Sequence, residues 1–210
     1  MMTRGDQADN LRRMVREMRP HARVLAVTSG KGGVGKTNIA TNLALCMAAT
    51  EKRVLLLDAD ISLGNLDLLL NVRSKYNISH VINGSKRIEQ IILPGPQGLQ
   101  VICGASGLDQ LADISETEQH RLLEHLSGLQ YGSDTIVIDT AAGISNSVVS
   151  FCLAADHVLV VTTPEATAMT DAYGMIKVLV RKRYEGPISV VVNMAHSLAE
   201  GKRIYQRLAD

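Results

Sequence analysis

Residues 30–37 read GKGGVGKT, directly after the apolar run RVLAVTS and directly before an amphipathic stretch from Asn38 to Thr50. Each residue type in that order has a physical task. The glycines Gly30, Gly32, Gly33 and Gly35 free the backbone for positive φ and let the amides of the loop, that of Val34 among them, approach an anion. A helix that starts at once afterwards turns its positive end toward the same point. Lys36 then supplies a cation for the β- and γ-phosphates of a nucleotide, Thr37 a hydroxyl for Mg²⁺, and Asn38 opens the helix behind them. A glycine turn that merely joined strand to helix would leave Lys36 and Thr37 together unexplained. The loop therefore predicts a phosphate site at the end of a strand.

The remainder of the chain fits a fold that carries such a loop. Six short runs, RVLAVTS, RVLLLDA, LQVIC, TIVID, HVLVVTT and ISVVV, are apolar or β-branched and lack the polar alternation of half-exposed strands, so they read as strands buried on both faces. Helical stretches fall between several of them: Asn38 to Thr50, Ser115 to Leu126 with a capping box of Ser115 and Glu118, Ser145 to Ala155, and Met169 to Arg183. Strand alternating with helix predicts an α/β fold with a mostly parallel, doubly wound sheet. With 210 residues, 46% of them hydrophobic, one core suffices for residues 21–210. The turn-rich stretches around Asn83 to Lys86 and Pro94 to Gly98 read as surface loops. The last stretch, GKRIYQRLAD, reads as a helix from about Gly201 without a stop signal, and a domain lacking its C-terminal portion is expected. Residues 1–20 form a separate arm, in which Asp6 can cap a helix from Gln7 to Arg19 with Ala8, Leu11, Val15 and Met18 on one face before Pro20.

Several function classes lose ground on composition. A formal net charge of +1 gives no bulk field for nucleic acid, although a local basic patch is invisible to that count. Cys46, Cys103 and Cys152 lie far apart in apolar runs without C-x-x-C spacing, and read as buried small hydrophobes in a reducing compartment. His120 and His125 are five apart, off the same-face spacing of a zinc helix, and read as surface residues. No apolar run approaches the roughly 18 residues that a spanning helix needs, and a cytoplasmic location is expected.

Three carboxylates complete the site. Asp58 and Asp60 end the strand reading LLLDAD, and Asp139 ends TIVID before the stretch TAAG, so all three fall at the carboxyl edge where open α/β sheets bind ligands. Aspartates after strands are also common turn residues. The loop KGGVGKT, with its second lysine Lys31, resembles the deviant Walker A family that includes MinD, ParA and nitrogenase iron protein. That resemblance implies an ATPase that dimerises around two MgATP molecules. Lys31 would then reach the partner's phosphates, Thr37, Asp58 and Asp139 would hold Mg²⁺, Asp60 would position or deprotonate the attacking water, and Asn193, after ISVVV, would contact adenine.

Within that family the stretches GKTNIATNLA, DADISLGNLDLLL, IDTAAGISNSVVSF and PEATAMTDAYGMIKVL together resemble the FlhG branch, also called FleN or YlxH, which regulates flagellar number and placement. The arm sequence DQADNLRRMV is similar to the element by which that branch stimulates the GTPase FlhF, with Asp6, Gln7, Ala8, Leu11 and Arg12 as the matching residues. The resemblance further implies flagellar transcriptional regulators and C-ring components as partners. Such proteins usually continue into another strand and a membrane-targeting amphipathic helix, which nothing in these 210 residues supplies, so membrane association stays open. A ParA-type DNA partitioner and a nucleotide-ordered adaptor share the same phosphate site. An iron–sulfur carrier would need the C-x-x-C that is missing here.

Overall fold

The computed structural model describes residues 22–60, 64–104, 116–129 and 132–209. Among the described residues, seven strands form one sheet: β1 (Arg23–Ser29), β2 (Val54–Ala59), β3 (Leu93–Pro94), β4 (Gln100–Ile102), β5 (Thr135–Ala142), β6 (His157–Thr162) and β7 (Ile188–Val192). Their order is β3-β4-β2-β5-β1-β6-β7, with every pairing parallel except the edge pair of β3 and β4. The helices are α1 (Lys36–Ala48), α2 (Leu66–Leu70), α3 (Ile78–Ile82), α4 (Glu116–Leu129), α5 (Asn146–Leu153), α6 (Ala166–Arg181) and α7 (Leu198–Ala209). None of the described helices is long and apolar enough to cross a membrane.

The uninterrupted apolar run of β2 has a simple cause. Successive strand side chains point to opposite faces, and here both faces are covered. Leu55 and Leu57 join a layer with Phe151, Met175, Leu122 and Leu126, whereas Val54 and Leu56 join another with Ala40, Ala44 and Ala48 of α1. The small residues along α1 let that helix lie close on the sheet behind the phosphate loop. Because β1 lies between β5 and β6, the loop at its carboxyl end opens near the middle of the sheet edge, with β2 one strand further out.

The structure departs from the sequence reading at several points. β7 is only half-buried along its whole length, where burial on both faces was expected; among the described residues it pairs with β6 alone. The Pro94 to Gly98 stretch is not all loop, since Pro94 belongs to β3, and proline is tolerated there because an edge strand need not donate its N–H. Two short helices, α2 and α3, interrupt the segment after β2; Asn77 caps α3 by accepting from the Ser79 amide at 3.1 Å. Helix α6 begins three residues before Met169 and ends at Arg181, and α7 begins at Leu198 rather than near Gly201. Cys46 is exposed, because it lies on the outward side of α1, while Cys103 and Cys152 are buried as expected. His125 is exposed, in keeping with its reading as a surface residue. The arm of residues 1–20 and the capping residue Ser115 lie outside the described residues.

Phe151 is buried among both sheet and helix residues, so its truncation leaves a cavity that rigid neighbours cannot fill. Phe151→Ala is expected to lower stability by about 3–5 kcal/mol, read as a shift of the urea midpoint with an unchanged slope.

Candidate nucleotide site

The loop from Ser29 to Gly35 leaves β1 at its carboxyl end and enters α1 without any side-chain cap. Gly35 occupies the N-cap position at φ 88°, a left-handed conformation that costs glycine little. A Cβ there would also collide with the side-chain amide of Asn193. An uncapped helix start, opened by a left-handed glycine, is a cradle for an anion. Gly30 is required for a different reason, since a Cβ on it would run into the Asp171 backbone of α6.

Strand register brings the carboxylates together. Asp139 on β5 is the partner of Asp58 on β2 and of Val27 on β1, so the two aspartates stand side by side next to the loop. Asp58 is 2% exposed and Asp139 1% exposed. The Lys36 ammonium, itself buried, donates to Asp139 Oδ1 at 2.8 Å, and the Thr37 hydroxyl bonds the same carboxylate. Burial nevertheless pushes the Asp139 carboxyl above its ordinary range, opposed by Lys36 and Thr37. Burial raises Asp58 further, up to about 7, with the neighbouring Asp139 charge adding to it. Asp58 Oδ1 accepts from the Asp60 amide at 3.0 Å and Oδ2 from the Asn65 amide at 3.1 Å, so this carboxylate also shapes the turn that carries Asp60.

These donors fit a hard dication. Mg²⁺ prefers oxygen ligands, keeps several waters and takes one or two protein carboxylates, and two adjacent buried carboxylates with a threonine hydroxyl are that set. A dication beside them would also remove the repulsion that raises Asp58.

Lys31 and Asn193 point to surroundings that spacing did not reveal. The Lys31 ammonium donates to Glu165 Oε1 at 2.5 Å and to Thr167 Oγ1 at 2.7 Å, at the start of α6. Its side chain remains about one-third exposed, at 34%. Asn193 Nδ2 donates to the Val34 carbonyl at 2.9 Å, so this residue holds the phosphate loop from the β7 side. Gly32, Gly33 and Asn38 are exposed along the rim of the loop and α1. Asp6, Gln7, Ala8, Leu11 and Arg12 lie outside the described residues.

Sequence reasoning did not single out Glu165, Thr167 or Thr140. Thr140 is buried after Asp139, and its hydroxyl bonds Thr28 Oγ1 at 3.1 Å and the Val27 carbonyl at 3.2 Å, tying β5 to β1 beneath the loop. β5 runs on to Ala142 rather than ending at Asp139 as read from the sequence, and a threonine directly after that aspartate is the signal that could have found Thr140. Glu165 and Thr167 had none, because only the fold brings the start of α6 to the loop.

The raised Asp58 carboxyl gives stability a pH dependence. An unfolded chain ionises this group near pH 4, whereas the folded protein keeps its proton up to about pH 7, so stability falls as pH rises through that window and levels off above it. Without Mg²⁺ or nucleotide, urea unfolding is expected to show about 1 kcal/mol less stability at about pH 8 than at about pH 6. Asp58→Asn should remove that difference; an equal pH dependence in the variant would assign it to other groups.

Comparison with known proteins identifies the family and the fold. A family model described as ParA, NUBPL iron-transfer P-loop NTPase, matches residues 21–206. The antiactivator FleN of Pseudomonas aeruginosa is 44% identical over 185 residues, covering 88% of this chain and 66% of its own length. The flagellum site-determining protein YlxH of Helicobacter pylori is 39% identical over 188 residues, covering 90% of this chain and 63% of its own. The chain thus spans just under two thirds of the length of these curated relatives. Among solved structures, the cell division ATPase MinD of Pyrococcus furiosus superposes with a TM-score of 0.78 at 26% identity, over 90% of this chain and 80% of that one. A family match that runs from residue 21 to residue 206 takes in every strand of the sheet, and the chain belongs to the ParA family of P-loop NTPases.

Proposed function

We propose that this chain is an ATP-binding and ATP-hydrolysing switch that dimerises around two MgATP molecules and controls flagellar number and placement. The observation that carries the reading is the buried contact of Lys36 with Asp139, beside Asp58, at the mouth of an uncapped helix. Likeness to FleN and YlxH supports the flagellar part of it.

In this reading the loop amides and Lys36 hold the β- and γ-phosphates, and Asn193 meets the adenine side while bracing Val34. Thr37, Asp58 and Asp139 hold Mg²⁺, directly or through water. Mg²⁺ supplies charge neutralisation at the phosphate oxygens. Asp60 orients the attacking water and accepts its proton. Lys31 leaves Glu165 and Thr167 to reach the phosphates of a second copy. An exposed ion pair of this kind is worth about 0–1 kcal/mol, so the exchange costs little. Phosphoryl transfer needs mainly positioning and charge compensation, which these side chains provide. Cys103 and Cys152 give no support to an iron carrier, since both are buried and burial pushes both thiols up to about 11. Residues 1–20 are the activating arm for an FlhF-type GTPase, with Gln7 orienting water there and Arg12 offsetting charge. Flagellar transcriptional regulators and C-ring components are the further partners.

Two experiments test this reading. Lys36→Ala should weaken nucleotide binding roughly 30-fold or more, the loss of one buried charge partner. Lys31→Ala should keep binding yet remain monomeric with a non-hydrolysable ATP analogue in size-exclusion chromatography, and Asp60→Ala should accumulate as an ATP-bound dimer. If Lys31→Ala loses nucleotide as Lys36→Ala does, the cross-dimer role is wrong.

The arm is tested apart from the ATPase. A synthetic peptide of residues 1–20 should raise GTP turnover by an FlhF-type GTPase, a Gln7→Ala peptide should not, and a protein lacking residues 1–20 should still dimerise with ATP. Unchanged turnover with the first peptide would remove the activator role.

A further inference from the structure

Gly64 and Gly104 crowd the Asp58 carboxylate, and neither is glycine for the sake of its dihedral angles, since neither has a positive φ. What both positions need is the absence of a side chain. A Cβ on Gly104 would lie 2.6 Å from the Asp60 carbonyl oxygen, 3.0 Å from Asp58 Cγ and 3.2 Å from Asp58 Oδ1. A Cβ on Gly64 would lie 2.8 Å from Asp58 Oδ2 and 2.9 Å from the Gly104 Cα. The two glycines and the carboxylate thus form one close-packed stack. Gly104 reaches both aspartates from the side of β4, with β2 and β5 standing between that strand and β1, which carries the phosphate loop.

Which member of the stack yields decides what a side chain at position 104 would do. The end of β4 is anchored: Ile102 pairs with Leu57 of β2, Cys103 is buried, and the Cys103 carbonyl accepts from the Ile78 amide of α3 at 3.1 Å. Asp58 is anchored as well, because it is buried in register with Asp139 and its two oxygens accept from the Asp60 and Asn65 amides. Asp60 lies beyond the last ladder pair of β2, Ala59 with Thr140, and is only half-buried, so it yields first. Relieving the 2.6 Å approach to an ordinary contact of 3.4 Å moves its carbonyl by about 1 Å. A misplacement of about 1 Å can cost roughly 100-fold in rate. We propose that Gly104 is a positioning residue for hydrolysis, whose bare backbone sets how closely the Asp60 segment is held against Asp58 and hence where the Asp60 carboxylate stands. The inference rests on the assignment of Asp60 to the attacking water.

The test compares Gly104→Ala in the full chain with Asp60→Ala and with Gly128→Ala, a substitution on α4 where a Cβ meets nothing within 4 Å. Without nucleotide, hydrogen exchange of the Asp60 amide should quicken in Gly104→Ala, because its bond to Asp58 Oδ1 is disturbed, and stay at the parent's rate in Gly128→Ala. With Mg²⁺ and ATP, Gly104→Ala should keep the parent's nucleotide affinity, turn over roughly tenfold more slowly or worse, and accumulate as dimer in size-exclusion chromatography as Asp60→Ala does. Gly128→Ala should turn over as the parent does. If Gly104→Ala does not melt cooperatively, Gly64→Ala presses on the same stack through Asp58 Oδ2, and slower turnover at unchanged nucleotide affinity is again the expected result. Parental turnover, an unchanged Asp60 amide, or a parallel loss of affinity and turnover in the folded variant would overturn the role of Gly104. Normal turnover by Asp60→Ala would instead remove the reading of Asp60 on which it rests.

Discussion

Two buried carboxylates stand beside one buried ammonium that pairs with only one of them, and most of the site follows from that imbalance. Asp58 and Asp139 face each other because β2 and β5 pair in parallel register, and Lys36 reaches Asp139 because β5 is also the neighbour of β1. Removing charges from water is costly unless they are paired, and one lysine cannot pair two aspartates. The cost appears as the raised Asp58 and Asp139 carboxyls. A fold selected only for stability would have little use for this arrangement, whereas a site that must hold a dication and phosphate together needs both charges, dry and rigidly placed.

The sheet was legible in the sequence to the extent that its strands are buried. Runs such as VLLLDA carry apolar residues on both faces, and their alternation with amphipathic stretches leaves few architectures. What escaped is what burial does not mark. β3 has two residues, one of them proline, and lies inside a turn-rich stretch; α2 and α3 have five residues each, too short to show a helical period. Cys46 reads as core because its neighbours are apolar, yet on α1 it points away from the sheet.

The phosphate loop was legible for a different reason. Its residues are consecutive, so one glance at GKGGVGKT contains the glycines, the lysine and the hydroxyl. The carboxylates could be placed at the right edge of the sheet, but their adjacency came from strand order, which places β5 between β1 and β2. Contacts between distant segments were the least legible. Lys31 and Glu165 are 134 residues apart, and Asn193 and Val34 are 159 apart, with no local pattern linking either pair.

Those distant contacts divide the loop's surroundings into two sides with different properties. Toward β2 and β5 the partners are buried charges, fixed by register and hard to move. Toward α6 and β7 they are an exposed ion pair at Glu165, a backbone approach at Asp171, and the single Asn193 amide holding the Val34 carbonyl. Breaking an exposed pair costs far less than separating a buried one. Motion of the loop is therefore cheapest on the α6 side, where Lys31 already lies at the surface, while the buried Lys36 stays with Asp139. In the switch proposed above, a loop built this way would release Lys31 from Glu165 without disturbing the buried pair of Lys36 and Asp139.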